Sequence, residues 1–150
     1  VFLKPPSSIV ADGEAIVLPP DVGRVDFEGE IGLVIGTRLT KATPVEAGAA
    51  VRGIVAVNDV SARDLQKSDV QWWRAKGTDT FGPIGPWLVT SDEVKDPQKL
   101  HMWLDLNGKR VQDGSTSTMV FGVAHIVAYL SQFFTLMPGD IITTGTPPMP

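Results

Sequence analysis

The sequence predicts a β-rich α+β domain, and three observations carry that reading. Apolar runs of strand length recur along the chain. Fifteen glycines and twelve prolines fall in clusters between those runs, where they act as turn formers. Only one long segment, near the C-terminal end, has the apolar spacing of an amphipathic helix.

Taken in order, Ala15 to Leu18 is the first apolar run and is expected to be extended. Asp26 to Ile35 alternates in character and reads as a strand. Val51 to Asn58 is almost continuously apolar, as expected of a strand buried on both faces. Phe81-Gly82-Pro83-Ile84-Gly85-Pro86 reads as a rigid turn, with a strand from Trp87 to Thr90 after it. Leu100 to Leu106 is followed by Asn107-Gly108 and then Lys109-Arg110-Val111. Asn-Gly tolerates the positive φ angles of a two-residue hairpin turn, so this piece is expected to be a β-ribbon. Asp140 to Thr144 supplies a last strand. The long helix spans Val123 to Phe134, where Val123, Ile126, Val127, Leu130, Phe133 and Phe134 build one apolar face that should pack on the sheet. A shorter helix follows Asn58-Asp59, with Ser61 as N-cap and Asp64 as the returning acid three residues on.

The totals bound the function. Of 150 residues, 43% are hydrophobic and 20% charged, which fits a folded domain with its own core. No repeat, low-complexity tract or linker divides the chain, so residues 1 to 150 are read as a single domain. Val1-Phe2-Leu3-Lys4 opens inside an extended segment and Thr146-Pro147-Pro148-Met149-Pro150 stops in a loop, so the domain is expected to be incomplete at both ends. A net charge of −4 and a pI near 5.0 argue against a nucleic-acid surface, which needs clustered Lys and Arg. The absence of Cys excludes disulfides, thiolate chemistry and Cys-ligated metals. With no apolar run of about 18 residues and no basic-then-apolar leader, the chain reads as soluble and cytoplasmic, without membrane contact. Its partners are then small molecules or other subunits.

The carboxylates concentrate the chemistry. Strand alternation in Asp26-Phe27-Glu28-Gly29-Glu30-Ile31 puts Glu28 and Glu30 on one face and the apolar residues on the other. Two strand positions span about 7 Å, at which two ionised carboxylates repel by roughly 2 kcal/mol at an effective dielectric near 20. Such a pair persists because water solvates it on an exposed edge or because a cation lies between the side chains. Gly29 and Gly32 favour the second account, since isolated strand glycines often mark the close approach of a ligand or another backbone. Carboxylates without Cys or His suit magnesium, manganese or calcium better than zinc. Asp59, at the end of the buried strand, is either a helix cap or a third site carboxylate. Lys76 is either solvated on a loop anchored by Trp72 or a buried positive charge available to an enolate or carboxylate.

Together the segments Phe2-Leu3-Lys4-Pro5, Glu28-Gly29-Glu30, Asn58-Asp59-Val60-Ser61-Ala62-Arg63-Asp64-Leu65-Gln66, Gln71-Trp72, Ala75-Lys76-Gly77, Phe81 to Trp87, Leu106-Asn107-Gly108, Pro138-Gly139-Asp140-Ile141 and Thr144-Gly145-Thr146-Pro147-Pro148 resemble the fumarylacetoacetate hydrolase family over nearly the whole chain. The resemblance implies a mixed β-sandwich roll of that family's C-terminal domain type, usually a homodimer. It implies Glu28, Glu30 and Asp59 as ligands of Mg2+ or Mn2+, with Ca2+ as a further candidate. It implies Arg63, Gln66, Lys76 and Thr146 as substrate-binding residues, Lys76 also as catalytic, and Thr80 as a secondary contact near the ion. The implied reaction is hydrolytic cleavage of a carbon–carbon bond in a small 2-oxo acid, an acylpyruvate or diketo acid, through a metal-stabilised enolate. Decarboxylases and tautomerases share that intermediate, and a metal-binding module without catalysis is the reading from a different class. Gly114 to His125 is most similar to bacterial fumarylpyruvate hydrolases, hydrolases of diketo sugar acids and ureidoglycolate lyases. The chain departs from the family pattern in lacking the His-Glu pair that precedes the first matching segment. His101 and His125 do not match it and are read as structural.

Overall fold

The computed structural model describes residues 1–148; Met149 and Pro150, on which the expected C-terminal loop falls in part, lie outside the described residues. Among the described residues, nine strands and four α-helices follow one another: β1 (Ile9–Val10), β2 (Val25–Asp26), β3 (Gly29–Ile35), α1 (Pro44–Ala50), β4 (Val51–Asn58), β5 (Ser61–Ala62), α2 (Arg63–Ser68), α3 (Trp73–Gly77), β6 (Gly82–Thr90), β7 (His101–Leu106), β8 (Lys109–Ser115), α4 (Val123–Ser131) and β9 (Ile141–Thr143). Five of the strands form a mixed sheet in the order β1-β6-β4-β3-β9, parallel between β1 and β6 and antiparallel elsewhere. β2 pairs with β5 and β7 with β8 as separate two-stranded ribbons. The β-rich α+β class is as the sequence predicts.

The core follows from alternation on β3. Ile31, Leu33 and Ile35 pack with Ile54 of β4, and α1 and α4 close that layer with Ala47, Val123, Val127 and Ala128. A smaller cluster of Val22, Val60, Ala62 and Phe81 packs around the chain leaving β4. Among the described residues, no helix is long and apolar enough to cross a membrane.

Several elements differ from expectation, each for a physical reason. Ala15 to Leu18 forms no strand: no neighbouring strand offers it a ladder, Val17 and Leu18 stay exposed, and the Val17 N–H donates to the Thr80 hydroxyl (2.8 Å). The run from Asp26 to Ile35 is two strands, because Val25 and Asp26 pair with Ala62 and Ser61 whereas Gly29 onward pairs with β4. Phe81 to Pro86 is mostly strand rather than turn. Its Pro86 falls in the interval where the β4–β6 register slips between Val55 and Val57, a place where a missing N–H costs no ladder bond. Ser61 is not an N-cap: it lies in β5, its hydroxyl donates to the Asp59 carbonyl (2.8 Å), and Ala62 precedes α2. α4 stops at Ser131, and tightened bonds from Phe133 and Phe134 N–H to the Leu130 carbonyl (both 3.0 Å) leave those two rings largely outside.

Two short helices fall outside the sequence expectations, α1 and α3. α1 carries a full capping box, with Thr43 and Glu46 each accepting from the other's backbone N–H and Pro44 in the first turn. The hairpin is as expected: Asn107 and Gly108 take φ of 51° and 76° between β7 and β8, and β8 runs on to Ser115.

Candidate metal centre

Backbone pairing brings the acids together. Gly29 lies opposite Asn58 and Glu30 opposite Val57 in the β3–β4 ladder. Just beyond the ladder, the Glu28 N–H donates to Asn58 Oδ1 (2.9 Å) and the Asp59 N–H donates to the Glu28 carbonyl (2.8 Å). Residues 28 and 59 are therefore held side by side, by one main-chain bond and one through the Asn58 side chain, with Glu30 two strand positions further on. One oxygen from each of Glu28, Glu30 and Asp59 lies within 4.8 Å of the others, and the three residues are 8%, 4% and 1% exposed.

Three ionised carboxylates at that spacing do not persist uncompensated, since each pair repels by about 3 kcal/mol at an effective dielectric near 20. Cations enter from three elements. Lys76 of α3, 2% exposed, donates to Glu28 Oε2 (2.6 Å) and Asp59 Oδ2 (2.8 Å). Arg63, first residue of α2, reaches Glu28 Oε1 (2.6 Å), Asp26 Oδ2 (2.7 Å) and Gln66 Oε1 (2.7 Å). Lys4, from the N-terminal segment, donates to Asp59 Oδ1 (2.6 Å) and to the Lys76 carbonyl. Burial pushes the Lys4 ammonium below its usual range, against the pull of Asp59. Glu30 is raised to about 7, first by burial and then by the charge of Asp59, while the Gly145 N–H (2.7 Å to Oε2) holds it partly down.

The cluster thus unites Glu28, Glu30, Asp59 and Lys76, with Arg63 at its rim and Gln66 one hydrogen bond further out. Thr146 sits behind it, donating to the Gly29 carbonyl (2.8 Å) and accepting from Gln112 (2.6 Å). Thr80 does not join: its hydroxyl is engaged by Val17. His101 is paired with Asp113 on the hairpin (2.8 Å) and His125 stacks on Phe121 at 5.1 Å, both in structural contacts. The β3 glycines leave room for side chains rather than for a ligand. A Cβ on Gly29 would meet Gln112 and Leu104, and one on Gly32 would meet Val57, Val55 and Ile141. Lys4 and Gln112 are the residues that sequence reasoning missed. Lys4 stands inside Phe2-Leu3-Lys4-Pro5, a usable signal, whereas nothing in the ribbon sequence separates Gln112 from its polar neighbours.

The donor set fits a hard divalent cation: three buried carboxylates, no sulfur and no imidazole, arranged for oxygen ligation.

The curled mixed sheet with buried carboxylates at the end of its central pair defines a class: a β-rich α+β domain built around a buried cluster of oxygen donors that could hold a cation. The chain belongs to the fumarylacetoacetate hydrolase family, whose C-terminal (FAA hydrolase) profile matches residues 1–149. A Burkholderia ambifaria protein named provisionally as a hydrolase is 53% identical over 149 residues, which are 99% of this chain and 53% of that protein. The chain thus spans about half the length of such relatives. Among solved structures, 5-carboxymethyl-2-hydroxymuconate delta-isomerase from Mycobacterium smegmatis superposes with a TM-score of 0.93 at 42% identity, over 97% of this chain and 57% of that one. 2-Hydroxyhepta-2,4-diene-1,7-dioate isomerase from Mycobacterium marinum gives 0.93 at 46%, with the same coverage. These likenesses bear out the roll of the family's C-terminal domain; members of the family are enzymes.

Proposed function

We propose that this chain holds Mg2+ or Mn2+ on Glu28, Glu30 and Asp59 and uses the site to cleave a carbon–carbon bond of a small acylpyruvate-like 2-oxo acid by hydrolysis. The observation that carries the proposal is the buried three-carboxylate cluster with the Lys76 ammonium within 2.8 Å of two of its members. When bound, the ion supplies Lewis acidity to the neighbouring 2-oxo and carboxylate oxygens of the substrate.

Charge supports an anionic substrate. Asp26, Glu28 and Asp59 are in direct contact with Lys4, Arg24, Arg63 and Lys76, and Glu30, bonded to the Gly145 N–H, is the fourth acid of the set. A divalent cation added to a balanced site leaves two positive charges, which a substrate carboxylate and a developing oxyanion neutralise. Lys76 is the group that meets the oxyanion, since its ammonium is fixed in place before reaction and needs no reorganisation. Arg63 and Gln66 serve the substrate carboxylate, with the guanidinium that fixes Glu28 also orienting the Gln66 amide. Thr146 closes the side nearest Gly29.

A second reading, isomerisation of an unsaturated 2-oxo acid, draws on the two mycobacterial neighbours named as isomerases. Both reactions begin by building negative charge on the 2-oxo oxygen, so one assay separates them. The purified protein is incubated with Mn2+ and an acylpyruvate, and the products are analysed by mass. Hydrolysis yields pyruvate and a shorter acid, isomerisation a product of unchanged mass, and chelation abolishes either. Unaltered Mn2+ binding in all of Glu28→Ala, Glu30→Ala and Asp59→Ala would refute the ligand assignment.

A further inference from the structure

Gln112 is the most deeply buried amide side chain of the protein, 1% exposed, yet it comes from β8 of the separate ribbon. It faces Leu104 in the β7–β8 register and points at β3. With Thr146, two of its three contacts close a ring around one residue. Gln112 Oε1 accepts from the Gly29 N–H (2.8 Å), and Nε2 donates to Thr146 Oγ1 (2.6 Å) and to the Pro147 carbonyl (3.3 Å). The Thr146 hydroxyl in turn donates to the Gly29 carbonyl (2.8 Å). Both main-chain groups of Gly29, the residue between Glu28 and Glu30, are therefore held from the same side by side chains.

The β3–β4 ladder alone does not hold these groups, because an antiparallel strand pairs on one edge only at this end. β9 reaches β3 no further than Gly32. The clasp replaces the missing neighbour strand where the acids leave the sheet. The preceding residue in the same loop, Gly145, donates to Glu30 itself (2.7 Å). A shift of Gly29 would rotate Glu28 and Glu30 with it.

We infer that Gln112 is a positioning residue of the cation centre: through Gly29 and Thr146 it sets the spacing of the Glu28 and Glu30 carboxylates, and the β7–β8 ribbon is the support that carries it. The inference rests on the reading of Glu28, Glu30 and Asp59 as ligands. Partners that orient metal ligands without touching the ion typically contribute about 10–100-fold to affinity.

The test is a titration of Mn2+ into the purified protein and its variants, with free Mn2+ followed by electron paramagnetic resonance and folding checked by circular dichroism. Gln112→Leu is expected to bind at least about tenfold more weakly than the parent. Gln112→Glu keeps the acceptor for Gly29 but loses both donations, and is expected to fall in between. Thr146→Val should weaken binding and Thr146→Ser, which keeps the hydroxyl, should restore it. A purely structural role would lower the melting temperature of these variants and leave the Kd of the folded protein unchanged. That outcome, seen in Gln112→Glu or Gln112→Leu, overturns the inference. Should Gln112→Leu fail to fold, Gln112→Glu and the Thr146 pair decide in the same way. A parent protein that binds no Mn2+ sinks the ligand assignment and the inference together, whereas a parent that binds with indifferent variants sinks the inference alone.

Discussion

Glu30 differs from the other two carboxylates in its company. Glu28 and Asp59 are bonded to ammonium and guanidinium groups, whereas the hydrogen bond to Glu30 among the described residues comes from a main-chain N–H. Its carboxyl is raised from 4.5 to about 7. Between those values the folded, cation-free protein holds a proton there that the unfolded chain has lost, so this group's contribution to stability declines as pH rises across that window. Ligation needs the carboxylate, so Mn2+ affinity should rise with pH up to about 7 and level off above. Calorimetry in buffers of differing ionisation enthalpy should register release of about one proton at pH 6 and almost none at pH 8. Lys76 makes the opposite kind of prediction. Lys76→Ala leaves two buried carboxylates without their shared cation, a loss of about 3–5 kcal/mol. The variant should melt well below the parent without metal, gain more from added Mn2+ than the parent does, and turn over no substrate.

Strands and turns place these residues, and here the sequence was unevenly legible. The bounds of β4 were readable from its apolar run of strand length, although Arg52 and Ala56 stay exposed. Its neighbour β3 was readable in its Glu30 to Ile35 half, but not in its break before Gly29, because a change of pairing partner leaves no trace in alternation. The Phe81 to Pro86 segment looked like a turn for the same reason: the register slip that shelters Pro86 belongs to the pairing with β4, not to the local sequence. By contrast α1 was legible and passed over, since Thr43-Pro44-Val45-Glu46 is a complete start signal. Of the site, Glu28 and Glu30 could be paired from strand alternation, Asp59 and Lys76 were named only through the family resemblance, and Gln112 could not be named, since its burial depends on where a distant ribbon docks. The β4 core sheet offers a test of this level. A Cβ on Gly53 would stand 2.3 Å from the Val89 carbonyl oxygen, so Gly53→Ala should lower stability by about 3 kcal/mol in urea unfolding. Thr43→Ala, which removes only the α1 cap, should lower it by about 1 kcal/mol.

At the level of the whole molecule, the cluster joins parts of the chain that lie far apart in sequence: the N-terminal segment through Lys4, the central sheet through Glu30, the α2 and α3 region through Arg63 and Lys76, and the loop after β9 through Gly145 and Thr146. A cation held there ties all of them and is held only when all are in place. Mn2+ at 100 times its Kd should therefore stabilise the protein by about 2.7 kcal/mol, a rise in Tm of roughly 5–10 °C for a chain of this size. Scanning calorimetry with and without chelator reads it directly, and Glu30→Gln should lose most of the rise.

The bond from Gly145 to Glu30 spans 115 residues of sequence, and that between Thr146 and Gly29 spans 117. Contacts of such separation form only after the intervening chain has lost most of its freedom, which makes them slow. The Glu28–Asp59 pairing, by contrast, adjoins the end of the β3–β4 ladder and can arise early. In refolding from urea, recovery of the sheet signal should therefore run ahead of tight Mn2+ capture, leaving a transient species that has its strands but grips cations weakly. During synthesis the same order means that the acidic cluster is exposed to the surrounding ions, in a loose form, until the loop of Gly145 and Thr146 has emerged and closed behind it.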